Sequence, residues 1–433
     1  MHFMQLKTLS QLKDSPEMIH DQTVLVRVDY NVPLAEENGR QVVKDDQRIL
    51  NSLDTINLLL GNNNRVILLS HLGRPKGIGV EEKYSLRPVY DYLLEKGWWD
   101  VFFSPEVIGD TTRNLAQNLQ SRQVLLLENL RFDIREKQND PSFVSALAEL
   151  GTFFVNEAFS SCHRAHASVF GLPQIMSDRA FAGLALESEV TALEKVIDNP
   201  LQPLVVVVGG AKISDKVDAV ANLARVADVV LVGGGVANNF IKAEGVETHK
   251  SYMEDVPVDL NKDHTNYVEV ARRIIDDNRF ERYLKDDYIP LSKIVYPIDV
   301  IAGKSPEETL DTEIIQLNRN MPDTEPDRDI MYLDIGPRTT RLYQEIILAA
   351  GTVFWNGPVG VFENKAFSTG TSEVARAIAK TGAMTVIGGG DTIAAAKAFE
   401  YEGRVDFVST GGSAGLEFLA GKKLPGLAVL ELN

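Results

Sequence analysis

The chain has 433 residues, which is too long for one small hydrophobic core and predicts two or three domains. Apolar residues make up 44% and charged residues 24%, as in ordinary globular proteins. The formal net charge of −17 argues against nucleic acid as a partner, because a phosphate backbone is bound by a basic surface. Small anionic ligands stay possible wherever cations cluster locally.

Cysteine content and hydropathy point to a compartment. The single cysteine, Cys162, excludes a disulfide within the chain and fits a reducing environment. The first residues contain no apolar signal segment, and no run approaches the ~18 apolar residues that a membrane-spanning helix needs. We therefore expect a cytoplasmic enzyme without a membrane partner.

Apolar runs alternate with helical patterns through the first half of the chain. Strands are predicted at 23–29, 65–70, 100–104, 123–129 and 152–159. Helical patterns lie between them, for example at 46–62 and 85–97. Strands that alternate with helices predict α/β units with a parallel sheet.

Cationic side chains follow four of these strands. They are Arg27, His71, Arg74, Arg131, His163, Arg164 and His166, together with Arg48 in the next helix. The polar residues Asp29 and Asn31 lie beside Arg27. A lone arginine at a strand end more often forms a surface ion pair than a binding site. The carboxyl ends of parallel strands, however, meet at one edge of the sheet. Because arginine binds two oxygens of a phosphate or carboxylate at once, the set predicts a pocket for a small, multiply anionic substrate.

A single amphipathic helix is predicted between the two halves of the chain. Its pattern runs from about Ala185 to Ile197 and is closed by Asn199-Pro200 and by Pro203. The segment 183–203 is therefore the expected connector between domains.

Five apolar runs in the second half of the chain are each followed by glycine residues. They lie at 205–212, 229–235, 352–360, 385–392 and 406–415. Runs rich in β-branched residues are typical of parallel strands that are buried on both faces. Any one glycine cluster is adequately explained by a tight turn. Five at one sheet edge predict a phosphate-rich ligand, because glycine lets the backbone approach a ligand closely.

Lysines and an acid accompany these glycines. The spacing of Lys212 and Lys216 predicts that they lie one helical turn apart and point the same way. The segment 388–392 predicts a helix start that receives phosphate, with Asp391 available for Mg²⁺. The segment 409–415 is expected to offer backbone N–H groups at another helix start. Together the two halves suit phosphoryl transfer between two ligands.

Two common nucleotide motifs are absent from the sequence. It contains neither the GxxxxGK[ST] phosphate loop nor a strand-linked GxGxxG dinucleotide fingerprint. A nicotinamide-dependent dehydrogenase, which the α/β pattern alone would allow, is therefore disfavoured.

The sequence closely resembles the phosphoglycerate kinase family over nearly its whole length. The motifs that carry the resemblance, in order, are VRVDYNVPL, SHLGRPKG, YSLRPV, LLENLRF, VNEAF…HRAHAS, GGAKISDK, VGGGVANNF, DIGPRT, FWNGPVGVFE, GGGDT and VSTGG. The resemblance implies two Rossmann-like lobes of parallel sheet flanked by helices, joined by a connector helix across a hinged cleft. The substrate lobe would comprise 1–182 with 413–433 packed back onto it, and the nucleotide lobe 204–412.

The family's reaction converts 1,3-bisphosphoglycerate and ADP into 3-phosphoglycerate and ATP, reversibly and with Mg²⁺, in glycolysis. The resemblance also implies hinge-bending and a monomer. The residues implied to bind the glycerate substrate are Asp29, Asn31, Arg48, His71, Arg74, Arg131 and Arg164. The residues implied to bind the nucleotide are Gly210, Lys216, Gly234, Gly235, Gly336, Asn356, Pro358, Glu363, Gly389, Gly390, Asp391 and Thr392, with Asp391 as the metal ligand. The implied catalytic residues are Arg48, Lys212, Lys216, Gly411 and Gly412.

The sequence departs from the family's usual pattern at several positions. They are Glu157 in place of Asp, Ser160 in place of Gly, Phe407 in place of His, Ser413 in place of Gly and Gly415 in place of Ser. These changes motivate an alternative hypothesis, a catalytically weak relative that binds nucleotide or metabolite without turnover. The retained Arg48, Lys216 and Asp391 favour an active kinase.

Overall fold

The computed structural model describes residues 5–12, 19–254, 265–278, 282–284, 287–291, 293–317 and 328–432. The chain divides into two compact units. The first unit is Met1–Thr191 together with Lys423–Asn433, and the second unit is Ala192–Lys422. Each unit contains its own six-stranded sheet.

All the strands predicted in the first half are present in the first unit; 100–104 is found with the predicted bounds, and the other four are shorter than predicted. The unit's strands are β1 Thr23–Arg27, β2 Leu34–Glu37, β3 Arg40–Val43, β4 Arg65–Leu69, β5 Asp100–Ser104, β6 Gln123–Leu127, β7 Phe153–Asn156 and β8 Ala180–Ala182. The sheet has the order β5-β6-β4-β1-β7-β8, and every neighbouring pair is parallel. Its apolar side chains, such as Val24, Leu68 and Leu126, are fully buried and form the core.

Helices pack beside this sheet. They are α1 Gln47–Leu50, α2 Leu53–Gly61, α3 Arg87–Lys96, α4 Asp110–Asn118, α5 Ile134–Gln138, α6 Pro141–Ala148 and α7 Leu172–Ile175. Helix α8, Leu184–Ile197, contains the boundary between the two units, after Thr191. The prediction of one helix over 46–62 is wrong, because the helix is interrupted between α1 and α2. The Ser52 hydroxyl bonds the Ile49 carbonyl at 2.8 Å and lies 3.0 Å from the Tyr30 hydroxyl. Serine competes in this way with the regular backbone bonds of a helix.

A later segment completes the first unit. Residues 423–432 include a short helix, Pro425–Ala428. The Lys7 N–H donates to the Leu430 carbonyl at 2.8 Å, and the Leu432 N–H donates to the Gln5 carbonyl at 2.7 Å. The boundary lies after Lys422, so residues 413–422 belong to the second unit. The resemblance had implied that they pack onto the first.

The second unit has a parallel sheet and a smaller antiparallel one. Its strands are β9 Leu204–Val208, β10 Val229–Val232, β11 Arg282–Leu284, β12 Asp287–Leu291, β13 Ile294–Val295, β14 Asp299–Gly303, β15 Glu313–Gln316, β16 Met331–Ile335, β17 Thr352–Asn356, β18 Met384–Gly388 and β19 Phe407–Ser409. The parallel sheet has the order β13-β10-β9-β17-β18-β19. The five glycine-ended runs are therefore neighbours in one sheet, as predicted. The antiparallel order β15-β14-β16 was not predicted.

The helices of the second unit are α9 Val217–Val226, α10 Gly234–Ala243, α11 Tyr267–Asp277, α12 Pro337–Leu348, α13 Thr369–Ile378, α14 Gly390–Ala398 and α15 Ser413–Leu419. Three of them, α10, α12 and α14, begin two residues after a strand ends, and the others follow longer connections. Two parallel sheets flanked by helices confirm the predicted α/β fold class.

Candidate active site

The predicted substrate residues follow four adjacent strands. The strands β6, β4, β1 and β7 are neighbours in the first sheet, and all run in parallel. Arg131 follows β6, His71 follows β4, Asp29 follows β1 and Arg164 follows β7. The prediction that these strand ends share one edge of the sheet is confirmed.

A buried carboxylate organises one part of this edge. The Asp29 side chain lies against Arg48, whose Nη1 is 2.6 Å from Asp29 Oδ2. The Ser160 hydroxyl donates to the same carboxylate oxygen at 2.6 Å. Ser160 is one of the departures from the family pattern, and its hydroxyl adds a bond that glycine cannot make. Arg48 keeps 31% of its side chain exposed, so it is not fully enclosed by this pair.

The loop after β4 is held from two sides. The Gly73 N–H donates to Asn31 Oδ1 at 2.8 Å, and Arg131 Nη1 donates to the Gly73 carbonyl at 2.8 Å. Burial, and then the charges of Arg27 and Arg164, lower the pKa of Arg131 to about 10. Arg131 therefore stays cationic at neutral pH, next to other cations. A site with this excess of positive charge favours an anionic ligand.

Two histidines at this edge, His71 and His166, are neutral rather than cationic. Burial, followed by the charges of Arg27 and Arg131, lowers the pKa of His71 well below its usual range. Burial and nearby arginines likewise lower the pKa of His166 to about 3. The expectation that histidines add positive charge to the pocket is therefore wrong for these two, because low-dielectric surroundings oppose a second proton.

Two further predicted arginines are accessible. Arg74 and Arg164 are exposed, and Arg164 Nε donates to His163 Nε2 at 2.9 Å. Their guanidinium groups supply the exposed cations of this edge, whereas Arg131 is buried. This edge of the first sheet thus combines a buried, hydrogen-bonded arginine, Arg131, with two exposed ones, Arg74 and Arg164.

In the second unit the glycine loops are joined to one another by backbone hydrogen bonds. The Gly209 N–H donates to the Asn356 carbonyl at 3.0 Å, and the Gly210 N–H donates to the Pro358 carbonyl at 2.7 Å. The Gly234 N–H donates to the Val359 carbonyl at 2.9 Å. The loops after β9, β10 and β17 therefore form one connected surface.

The loops after β17 and β18 are also tied together. Asn356 Nδ2 donates to the Gly388 carbonyl at 2.8 Å. The Gly357 N–H donates to the Thr392 hydroxyl at 2.6 Å. Gly389 and Gly390 start α14, and Thr392 lies in its first turn. The predicted residues Asn356 and Thr392 thus have structural partners of their own.

The two predicted lysines are arranged differently from the prediction. Helix α9 begins only at Val217, so no helical turn joins Lys212 and Lys216, and that expectation is wrong. Lys212 is exposed, whereas Lys216 is half-buried and its Nζ donates to the Asn356 carbonyl at 3.1 Å. Burial lowers the pKa of Lys216 to about 8, although Asp391 and Asp215 oppose this shift.

Sequence reasoning missed two residues of this region. Gly357 has φ of +98°, and a Cβ at this position would lie 2.3 Å from both the Gly209 carbonyl oxygen and Lys216 Nζ. Asp299, at the start of β14, accepts from the Thr339 N–H at 2.7 Å and the Arg338 N–H at 3.0 Å. It thereby satisfies the first turn of α12, next to the predicted Gly336. The FWNGP motif was a signal for Gly357, whereas Asp299 lies outside every motif.

The remaining predicted residues lie in different settings. Glu363 and Asp391 are exposed. The segment 409–415 was expected to offer free backbone N–H groups, but the Gly411 N–H donates to the Ser409 hydroxyl at 3.3 Å, so not all of them are free. Gly412 precedes α15, with Ser413 as its first residue.

Asp391 is the predicted ligand for Mg²⁺. Its carboxylate is exposed in the first turn of α14, and no cluster of three His, Cys, Asp or Glu side chains occurs in the described ranges. Mg²⁺ commonly binds through one or two carboxylates, water and substrate phosphates, so a lone exposed carboxylate at this helix start fits the ion. No helix within the described parts of the chain is long and apolar enough to cross a membrane.

Comparison with known proteins identifies the family. A family model described as phosphoglycerate kinase matches residues 13–422. The chain belongs to the phosphoglycerate kinase family. A phosphoglycerate kinase from Pelotomaculum thermopropionicum is 43% identical over 407 residues, covering 94% of this chain and 95% of its own. One from an Anaeromyxobacter species is 40% identical over 429 residues, covering 99% and 100%.

Solved structures of the family agree with this result. The phosphoglycerate kinase of Coxiella burnetii superposes with a TM-score of 0.79 at 34% identity, over 98% of this chain and 99% of its own. That of Pyrococcus horikoshii gives a TM-score of 0.75 at 31% identity, over 97% and 98%. The resemblance seen in the sequence is confirmed, and the comparisons do not favour the catalytically weak alternative. The roles of individual residues stay predictions.

Proposed function

We propose that the chain catalyses reversible phosphoryl transfer from 1,3-bisphosphoglycerate to ADP, giving 3-phosphoglycerate and ATP, as a glycolytic phosphotransferase. The supporting observation is that, in a member of this family, Arg74, Arg131 and Arg164 follow strands of one parallel sheet edge. Arg48, in α1, contacts Asp29 at the same edge. A multiply charged phosphoglycerate is the kind of ligand that such an edge suits. The proposal includes a cytoplasmic, monomeric enzyme that works by hinge-bending.

The first unit would bind the glycerate substrate. Asp29 and Asn31 would hold the hydroxyl and carboxylate region, and Arg48 the end that carries the moving phosphoryl group. The group that would hold the other phosphate comprises His71, Arg74, Arg131 and Arg164. The exposure of Arg74 and Arg164 supports this role, because their forks are accessible to an anion.

The second unit would bind the nucleotide with Mg²⁺. Lys212 and Lys216 would contact its phosphates, as would Gly389, Gly390 and Thr392 at the start of α14. The residues that would line the nucleoside and phosphate site are Gly210, Gly234, Gly235, Gly336, Asn356 and Pro358, with Glu363 on the ribose. Asp391 would hold Mg²⁺, which when bound neutralises charge on the nucleotide phosphates.

The chemistry requires no general base. When ATP is consumed, the attacking group is a carboxylate, which is already ionised at neutral pH because its pKa is near ~4. The remaining requirement is to stabilise negative charge on the phosphoryl group as it moves between two oxygens. Arg48 and Lys216 would supply this charge, assisted by Lys212 and the backbone at Gly411 and Gly412. With a pKa of about 8, Lys216 is predominantly protonated at pH 7.

The test is the turnover of variants that lack one cation. We expect Arg48→Ala and Lys216→Ala each to lower kcat by roughly a hundred- to a thousandfold, or ~3–4 kcal/mol of transition-state stabilisation. Turnover is measured with 3-phosphoglycerate and MgATP in a coupled assay, and folding is checked by circular dichroism.

The matched controls are Arg87→Ala and Lys397→Ala, which remove exposed cations of the first and second units that make surface ion pairs. These controls should keep wild-type turnover, because surface ion pairs contribute little. Near-normal turnover of Arg48→Ala or Lys216→Ala would refute the assignment. A wild-type protein that binds both ligands without turnover would refute the proposed activity itself.

A further inference from the structure

A charged side chain that the proposed chemistry does not use lies at the centre of the first unit. Arg27, the last residue of β1, is 1% exposed. Its Nε donates to the Ser168 hydroxyl at 3.0 Å, and its Nη1 donates to the Val28 carbonyl. Its Nη2 lies 2.9 Å from His71 Nδ1 and 3.4 Å from the Ser161 hydroxyl. A buried guanidinium needs partners of this kind to be tolerated in a protein interior.

The compensating charge comes from Glu136 in α5. Glu136 is also buried, and its carboxylate accepts from the Ser168 hydroxyl at 2.6 Å and from the Ser168 N–H at 3.0 Å. Ser168 lies in a π-helical turn, Ala167–Gly171, and bridges the acid to Arg27. The network therefore fixes the guanidinium through Ser168, with the Glu136 carboxylate for charge balance.

This geometry determines which ring nitrogen of His71 carries the proton. A guanidinium has five N–H donors and no acceptor, so the nitrogen that faces it must accept. Nδ1 of His71 therefore has no proton, and the neutral ring carries its proton on Nε2. The other charged or titratable groups around the ring are Arg131, Arg48 and His166, and each of them also disfavours a second proton.

We propose that Arg27 is a positioning residue, which holds the His71 ring in the neutral Nε2–H tautomer so that the ring offers one hydrogen-bond donor and no charge. This inference rests on the proposed function, in which His71 contacts a phosphate of the substrate. A neutral donor bonds a phosphate oxygen at any pH near neutrality. A cationic histidine would instead lose its charge as the pH rises through its pKa.

A purely structural role for Arg27 makes a different prediction. Buried ion networks replaced by apolar groups of similar size often leave stability unchanged or improved, so a stability measurement does not separate the two roles. The state of the His71 ring does separate them. The wild-type tautomer is therefore the first measurement, and it needs no variant.

The experiment is nitrogen NMR of the full-length protein labelled with ¹⁵N-histidine, recorded from pH 5.5 to 8 without ligands. His71 is assigned by the loss of its signals in His71→Gln. We expect a protonated Nε2, an unprotonated Nδ1 and no titration in this range. A wild-type ring that is protonated on Nδ1, or that titrates in this range, overturns the inference whatever the enzyme's activity.

A double variant then tests whether Arg27 is the cause. Arg27→Met with Glu136→Gln removes both buried charges together, so neither is left alone. We expect the ring to populate both tautomers and the KM for 3-phosphoglycerate to rise about tenfold with a smaller change in kcat, as for loss of one hydrogen bond to a charged group. Ser161→Ala, which removes only the 3.4 Å neighbour of Arg27, should leave the ring unchanged.

The outcomes separate the two proposals. If the double variant keeps a pure Nε2–H tautomer, Arg27 does not set it and the inference fails. If the wild-type ring is as expected but the enzyme shows no turnover, the proposed function fails while the tautomer assignment stands. If the double variant does not fold, the wild-type spectrum alone decides between the Nε2–H and Nδ1–H rings.

Discussion

Gly357 shows how a residue without a side chain sets the position of a lysine. The Nζ of Lys216 occupies the space where a Cβ of residue 357 would lie, at a distance of 2.3 Å. The backbone at this point also has φ of +98°, which L-residues with side chains rarely adopt. The glycine therefore serves both the turn after β17 and the placement of the ammonium group.

We expect Gly357→Ala to lower the free energy of unfolding by about 1–3 kcal/mol, because of the strained backbone, and to lower kcat by displacing Lys216. The measurements are urea denaturation and the coupled assay. Gly382→Ala is the matched control, since its φ is not positive and a Cβ there meets nothing within 4 Å. Equal stability and turnover in the two variants would contradict the role given to Gly357.

Residues of this kind explain the limits of prediction at single positions. The motifs in the sequence predict roles for Arg48, Lys216 and Asp391, because their residue types carry the chemistry. They did not identify Arg27 as a partner of His71 or Asp299 as a partner of α12. Those functions depend on which groups meet across long stretches of sequence: the separation is 44 between Arg27 and His71 and 40 between Asp299 and Thr339.

At the scale of elements, the start of α8 is tied to the loop after β7. The Glu157 carboxylate accepts from the Leu186 N–H at 2.9 Å and from the Ala185 N–H at 3.3 Å. The Leu184 N–H donates to the Thr55 hydroxyl at 2.9 Å. Side chains thus satisfy three backbone donors at this helix start. Glu157 is a departure from the family pattern, and it lies three residues before Ser160, which bonds Asp29.

We expect Glu157→Ala to increase hydrogen exchange of the Ala185 and Leu186 amides by about five- to tenfold, since a helix cap contributes about 1 kcal/mol. Exchange is followed by mass spectrometry on peptides that cover 183–190. Amides of β9 serve as the internal control and should not change. Unchanged protection at 185–186 would show that the carboxylate does not cap the helix.

The prediction of elements succeeded where one periodicity dominates. The buried strand β9 carries a continuous run of leucine and valine, and β17 a run of β-branched and aromatic residues, so their location was clear from the sequence. The break between α1 and α2 was not, because it depends on hydrogen bonds of Ser52 to Ile49 and Tyr30. The β2–β3 hairpin was not predicted, although it carries the Asn38-Gly39 pair that favours tight hairpin turns.

At the scale of the whole molecule, each unit buries a carboxyl group whose pKa is raised. Burial raises the pKa of Glu157 to about 7 and that of Asp334 to about 8, although backbone N–H groups oppose both shifts. In the unfolded chain both groups ionise near pH 4. The folded state therefore binds more protons, and its stability falls as the pH rises from about 4 towards 8.

For the second unit this prediction can be measured through Trp355, which is fully buried there. In a Trp98→Phe/Trp99→Phe background the fluorescence of Trp355 reports urea unfolding of that unit. We expect Asp334→Asn to reduce the loss of stability between pH 5.5 and 8.5 by on the order of a few kcal/mol. The exposed Asp277→Asn should leave the pH dependence unchanged. The same slope in all three proteins would show that Asp334 does not titrate in this range.

The first unit is assembled from two separate parts of the chain. Residues 423–432 pair with Gln5 and Lys7, yet the whole second unit, 192–422, lies between them in the sequence. During translation the ribosome makes the second unit as one continuous stretch, whereas the first unit is incomplete until residues 423–433 have been synthesised. The part of the protein that is synthesised first is therefore the part that is completed last.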